Sequence, residues 1–412
     1  MMLERYRCLD LCDEKGLLAG KLLGDMGADV IKVERPSGDP SRKLPPLYQQ
    51  PVPAEESLFW HSYNVNKRGI SLDIKEPEGQ DIFRQLVATA DIVLESFQPG
   101  YLDQLGLGYD SLKQVNPGII LTSITPFGQN GPYRYYKASD LVAMSMGGIT
   151  ALTGDEDKPP VNIGGPPQSF LFAGAYAMLA TLIALYARES GSGGQHVDVS
   201  IQQCLVPVTI NTIPHWTLSG RLVKRAGHRR TGLTSGATQR QTWRCLDGYV
   251  TLTIFGGARG VKTNRPLVEW LAEENMATDY LKEKDWASFD LAKATAEDWA
   301  AIEKPVAEFF AAHTMVELFE GAQKRGLMLF PVYETKDLLS DRQLQAREFW
   351  TDVEHPELGS ITLPRAFARF SETPLEIRQA APAIGEHNSE IYCDEIGISE
   401  EQLMILRQKK VI

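Results

Sequence analysis

Over the first 140 residues, short apolar runs alternate with longer stretches whose apolar positions recur every three or four residues. Residues 7–11, 29–34, 92–95 and 119–124 read as strands rich in Ile, Val and Leu. Residues 17–26 and 78–90 read as helices, and Ile82, Phe83, Leu86 and Val87 share one face of the second. Apolar strands separated by helices predict an α/β fold, a Rossmann-like parallel sheet covered on both faces. Gly16, Gly20 and Gly24 lie four residues apart and give the first helix a smooth stripe for close packing.

Beyond Val199 the pattern changes. Residues 204–326 hold short strands such as 249–254, turns rich in Gly, Thr and Arg, and a charged helical stretch at 286–312. They read as a smaller inserted α+β domain, set between a large domain at 1–203 and a C-terminal return at 327–412. Within that return, 337–349 and 389–409 read as helices. Residues 170–187 carry no charge and are just long enough to cross a bilayer. Their Ala and Gly content, with no cationic flank on one side, favours a central helix of a soluble core, so no membrane is expected.

Composition narrows the function classes. A chain of 412 residues, 43% hydrophobic and 23% charged, suits two or three globular domains. Its net charge of −11 argues against nucleic acid, which calls for clustered cations. Cys8, Cys12, Cys204, Cys245 and Cys393 form no CxxC pair and have no histidine at ligand spacing, so neither a metal site nor a disulfide framework is expected. No basic-then-apolar leader opens the chain, which suggests a cytoplasmic protein. A dinucleotide site fails on its phosphate turn. Glu34 stands where a ribose-binding acid would, but residues 12–20 lack G-x-G-x-x-G.

Cations and amides gather instead after the strands. Asn64, Asn66, Lys67 and Arg68 precede an apolar segment, Arg35 follows the second strand, and Ser96-Phe97-Gln98 follows the third. Lys137 lies beyond the turn at 126–133. Past the carboxyl ends of parallel strands, such residues suit an anionic ligand with phosphates, and Phe97 suits its adenine ring.

Five ordered blocks, VIKVERP, NVNKRGISLDIK, ADIVLESFQPG, NPGIILTSITPFGQNGP and GSGGQHVDVSIQQ, resemble the class III coenzyme A transferases, the carnitine/formyl-CoA transferase family. The resemblance is strong over about the first two hundred residues and weaker in the tail. It implies an interlocked dimer with CoA bound on the large domain. By position it implies CoA contacts at Glu14, Lys15, Gly16, Arg35, Leu72, Asp73, Ile74, Lys75, Ser96, Phe97, Gln98 and Lys137. It implies no tightly bound cofactor, with coenzyme A or its acyl thioester as substrate. The family often has Asn at position 96 and Arg where this chain has Gln104, and its mobile glycine-rich loop is not evident at 235–241.

The main departure is at Ser169, or Gln168 in a shifted alignment, where the family places the aspartate that attacks the thioester. The reaction passes through a mixed anhydride and an enzyme-bound thioester, so the nucleophile has to be a carboxylate. A serine ester would have to expel an alkoxide to regenerate a thioester, which runs uphill. Asp140, Asp155, Glu156 and Asp157 precede the slot by more than ten residues, and no histidine suggests a triad. The resemblance therefore implies a subunit without the nucleophile, partnered by a related aspartate-bearing CoA-transferase subunit in a hetero-oligomer. An active homodimer using another nucleophile and a CoA-thioester binding protein without turnover remain the alternatives. Trp216, Trp243 and Phe255 offer either an apolar substrate pocket or a domain core.

Overall fold

The structure is a computed structural model, and it describes residues 1–48, 57–231, 238–356 and 358–412. These form two compact units, one of 1–148, 164–209 and 342–412, the other of 149–163 and 210–341.

The first unit is built on a six-stranded sheet: β1 (Arg7–Asp10), β2 (Asp29–Glu34), β3 (Lys67–Ser71), β4 (Ile92–Glu95), β5 (Ile120–Thr125) and β6 (His196–Ser200). Its order is β3-β2-β1-β4-β5-β6 and every pairing is parallel. The expected Rossmann-like sheet is present. Chain order reverses between β1 and β4, and a crevice forms there beyond the carboxyl ends of the strands. Helix α1 (Leu17–Asp25) follows β1, and α2 (Pro77–Ala88) buries Ile82, Phe83, Leu86 and Val87 on the sheet. Pro77 at its first position and Glu78 in its first turn favour a helix start.

The glycine stripe of α1 serves close approach. A Cβ on Gly20 would stand 2.3 Å from the Asp10 carboxylate, and one on Gly24 would stand 2.9 Å from the Asn66 carbonyl. Asp10 pairs at 2.8 Å with Lys67, both fully buried, and the ammonium also donates to Leu17 O and Asn64 Oδ1, each at 3.0 Å. All three Lys67 donors are thereby used, which a buried ammonium requires. The same segment holds Lys32, whose Nζ donates to the Cys12 carbonyl and pairs with Asp39 at 3.4 Å.

After α3 (Asp140–Met146) comes α4 (Gln168–Ala187), the uncharged segment. By length and composition α4 could cross a membrane. Its buried face is one of small residues, Ala173, Gly174, Ala177, Thr181 and Ala184, so the Gly174 backbone sits against Leu18 of α1 and Thr181 meets Thr122 of β5 at 2.8 Å. The opposite stripe, Phe172, Tyr176, Leu179, Ile183 and Tyr186, is exposed. Its alternating spacing of four and three is that of a helix–helix seam.

The tail covers the sheet edge. Gly69 and Ser71 on the outer side of β3 donate to His387 Nδ1 and Asn388 Oδ1, and the Tyr392 hydroxyl donates to Ser71 O. Pairing groups that would otherwise template aggregation are thus occupied. The helix expected at 389–409 is broken at Gly397, whose φ is +76°. The one expected at 337–349 divides at Asp341.

The second unit centres on an antiparallel sheet of Thr242–Arg244, Tyr249–Thr251 and Phe330–Pro331. The helix expected at 286–312 is shorter, Ala296–Ala311, because Thr295 and Asp298 form a capping box that fixes its start. Residues 327–341, read from sequence as part of the C-terminal return, lie in this unit. Phe330–Pro331 pairs with Tyr249–Thr251, and Leu327 and Leu329 enter its core. Residues 149–163 also join it, because Arg225 holds the Asp155 and Lys158 carbonyls at 2.9 and 2.6 Å. Residues 204–209 stay with the first unit.

Candidate functional site

At the switch point a cleft of about 270 Å³ opens beyond β1–β4. Of the twelve sequence-predicted contacts, Arg35, Leu72, Asp73, Ile74, Lys75, Ser96 and Phe97 line it. Each follows a strand: Arg35 follows β2, Leu72 to Lys75 follow β3, and Ser96 and Phe97 follow β4. Glu14, Lys15, Gly16, Gln98 and Lys137 do not line it. Lys15 is turned onto Asp13, Gly16 packs on Cys12, and Gln98 donates to the Tyr135 carbonyl at 3.3 Å. Glu14 is half-buried, and burial pushes its carboxyl pKa up. Lys137 is exposed.

Leu11, Asp13, Val33, Asp39 and Tyr101 also line the cleft and escaped sequence reasoning. Tyr101 had a signal, since it stands four residues after Phe97, and the two rings lie 4.8 Å apart at 39°. Asp13 had none. Its role depends on Ser96, whose hydroxyl donates to Asp13 Oδ1 at 2.7 Å and accepts from Asp13 N at 2.9 Å.

Four carboxylates border the cleft, yet each is engaged elsewhere. Glu34 takes both arms of Arg42 at 2.8 Å, which also removes it as a ribose ligand. Asp39 pairs with Lys32 and accepts from Ser41. Asp13 pairs with Lys15, and Asp73 accepts from Lys75 N at 3.0 Å. Arg35 and Lys75, both exposed, have no side-chain ion-pair partner among the described residues. Asp73 meets only a backbone N–H, so two unpaired cations stand against one unpaired carboxylate; the balance of the cleft is cationic, and with the Phe97–Tyr101 rings it fits a phosphate-bearing ligand with a planar base.

Glu95 is buried at the end of β4, just before the cleft residues Ser96 and Phe97. It accepts from Phe97 N at 2.6 Å. Burial raises its pKa to about 7, against the opposing pull of Ser123, the Phe97 N–H and Lys15. His196, exposed at the start of β6, meets Ser123 Oγ at 2.8 Å and stacks on Tyr109. These contacts make it a structural histidine.

The head of α4 is built differently. Ser169 is fully buried in the first turn, and Pro167 before it supplies no side-chain cap. Asp140, the first residue of α3, takes that role: its Oδ1 accepts from Ser169 N at 2.8 Å and from Ser169 Oγ at 2.7 Å. Gln168 donates to the Pro166 carbonyl at 3.2 Å. Asp140 is 29 residues from Ser169 in sequence and touches it in space, a proximity that spacing could not reveal. Asp155 lies in the other unit, paired with Lys158 at 2.9 Å.

The aromatic trio separates. Trp243 is core, donating to Leu252 O at 3.0 Å, Phe255 is half-buried under Arg259, and Trp216 is exposed. Of the glycine-rich region sought at 235–241, residues 235–237 lie outside the described residues, while Thr238–Arg240 pairs with Arg229–Thr231.

Along most of its length the chain is similar to known proteins. The chain is 35% identical over 395 residues to the succinyl-CoA:(R)-benzylsuccinate CoA-transferase subunit BbsE of Thauera aromatica, covering 94% of this chain and 93% of that one. It is 33% identical over 398 residues to the succinyl-CoA–D-citramalate CoA-transferase of Chloroflexus aurantiacus, covering 96% and 94%. A CAIB/BAIF family protein from Brucella suis superposes with a TM-score of 0.83 at 30% identity, over 94% of this chain and 98% of that one. The profile of CoA-transferase family III matches residues 3–388, and the chain belongs to that family.

Proposed function

We propose that this chain is the non-catalytic subunit of a cytoplasmic class III CoA-transferase that moves CoA from succinyl-CoA, or a similar donor, to a carboxylic acid such as benzylsuccinate. The observation that carries the reading is Ser169, whose N–H and O–H both close on Asp140. In the complete enzyme a partner's carboxylate attacks the thioester carbonyl and expels CoA thiolate, leaving a mixed anhydride. The thiolate then takes the enzyme carboxyl and releases the first acid, and the sequence reverses onto the acceptor. A buried hydroxyl held by a carboxylate supplies no such group.

In this chain the cleft would hold the nucleotide end of a CoA thioester. Arg35 and Lys75 would meet phosphates, and Phe97 with Tyr101 would meet the base. Leu72, Asp73, Ile74 and Ser96 would form the walls. Glu14, Lys15, Gly16, Gln98 and Lys137 would come to the ligand only after the loops rearrange. The uncharged exposed seam of α4 supports an assembled state, because Phe172 to Tyr186 present a stripe that water solvates poorly. The Thauera relative is a subunit of its enzyme, which supports a heteromer.

The test is expression alone and with an aspartate-bearing relative. We expect CoA transfer from succinyl-CoA to benzylsuccinate with the pair, and none with the lone chain. Robust transfer by the lone chain overturns the proposal. The contact with Asp140 favours one second reading, a homodimer in which that acid is the nucleophile. Trapping with hydroxylamine would then label Asp140.

A further inference from the structure

Residues 221–230 carry five cations, Arg221, Lys224, Arg225, Arg229 and Arg230, in a chain of net charge −11. Two of them build the second unit. Arg225 holds the carbonyls of Asp155 and Lys158, and Arg229 meets Glu303 through both arms at 2.9 and 2.8 Å. A cavity of about 380 Å³ lies against the same segment. Lys224, Arg229 and Arg230 line it and, among the described residues, no Asp or Glu does, although the Asp155 carboxylate stands behind Gly227. Arg230 has no ion-pair partner among the described residues. Lys224 pairs with Glu156 at 3.3 Å, but both side chains are largely exposed, and such a pair yields readily to a ligand. Leu152 and Val223 add apolar wall, and Asn211 adds a neutral hydrogen-bonding group.

We propose that this cavity binds the carboxylate of a small free organic acid, with Lys224 and Arg230 taking the charge and the apolar wall taking a short hydrocarbon body. The assignment deepens the transferase reading and rests on it for the identity of the acid as a reactant. Two cations with charge to give, Lys224 and Arg230, set beside Leu152 and Val223, suit a carboxylate with a carbon skeleton better than a bare, strongly hydrated phosphate.

Calorimetric titration of the full chain with succinate, benzylsuccinate and inorganic phosphate tests the site. Both acids should bind, phosphate should bind more weakly, and Lys224→Ala and Arg230→Ala should each weaken the acids about tenfold while leaving the thermal midpoint unchanged. Arg35→Ala, in the other unit, should leave acid binding intact. Absence of acid binding, equal binding of phosphate, or acid affinities unmoved in Lys224→Ala and Arg230→Ala would each overturn the assignment. A parallel CoA titration separates the two claims. A chain that binds acid and not CoA loses the transferase reading and keeps the pocket, and the reverse result loses the pocket alone.

Discussion

The cleft beyond β1–β4 and the head of α4 are both places where the family resemblance puts function, and they differ in what their polar groups have left to give. At the cleft, every bordering carboxylate is engaged and Arg35 and Lys75 are left over. At the head of α4, the Ser169 N–H and O–H are both spent on Asp140. Unspent charge is available for a ligand; spent charge holds the fold. Substitutions should therefore divide, with changes at spent groups read in stability and changes at unspent groups read in affinity.

The largest effect should come from the most completely spent group. Lys67→Ala leaves the buried Asp10 carboxyl without its partner, and strips the donor from Leu17 O and Asn64 Oδ1. Breaking a buried pair from one side costs about 3–5 kcal/mol, to be read by chemical unfolding. A loss below about 1 kcal/mol would mean that water reaches this pair and that the division between spent and unspent groups is not sharp.

The complementary experiment is Arg35→Ala with Lys75→Ala. Each lost contact to a phosphate should weaken CoA binding roughly tenfold to a hundredfold, from about 1.5–3 kcal/mol per charged hydrogen bond. Stability should stay within about 0.5 kcal/mol, because neither side chain supports the fold. Calorimetry with CoA and unfolding on the same protein checks both halves. A stability loss without an affinity loss would reverse the assignment.

How much of this was legible in the sequence follows the range of the forces involved. The strands at 29–34 and 92–95 match β2 and β4 to the residue, since runs of Ile and Val fix strands locally. The cleft was legible wherever a residue directly follows a strand, as Arg35 and Leu72 to Lys75 do. It was illegible at Asp13 and Asp39, whose places depend on Ser96 and Lys32. Position alone could not show that Lys15 is turned onto Asp13. The unit boundary failed at 327–341 because a two-residue strand pairing with Tyr249–Thr251 has no periodic signature.

Glu95 sharpens the comparison through its bond to the N–H of the cleft residue Phe97. Its folded pKa is raised by burial to about 7 from an ordinary value of 4.5. A raised folded value means the folded state holds the proton longer. The contribution to stability is fully present below about pH 4.5 and is lost as pH climbs through about 7. The loss approaches about 1 kcal/mol per pH unit over that interval and flattens above it. Glu95→Gln keeps a carbonyl for Phe97 N and removes the titration. Its melting temperature should therefore run flatter than the wild type between about pH 5 and 7 and parallel above pH 8. Identical profiles would mean that Glu95 is hydrated and ionised throughout.

The smallest effect belongs to the residue with the largest interpretive weight. Ser169→Ala removes the hydroxyl donor to Asp140 and leaves the Ser169 N–H bond in place. One hydrogen bond to a carboxylate is lost from a cap that still has its backbone contact, so unfolding should show a cost of about 1 kcal/mol. CoA affinity should not move, since Ser169 does not line the cleft. Transfer by the chain paired with an aspartate-bearing subunit should also be preserved, because the hydroxyl attacks nothing. A drop in paired turnover of about a hundredfold with unchanged stability would make that hydroxyl a participant in the chemistry, and the head of α4 would then resemble the cleft.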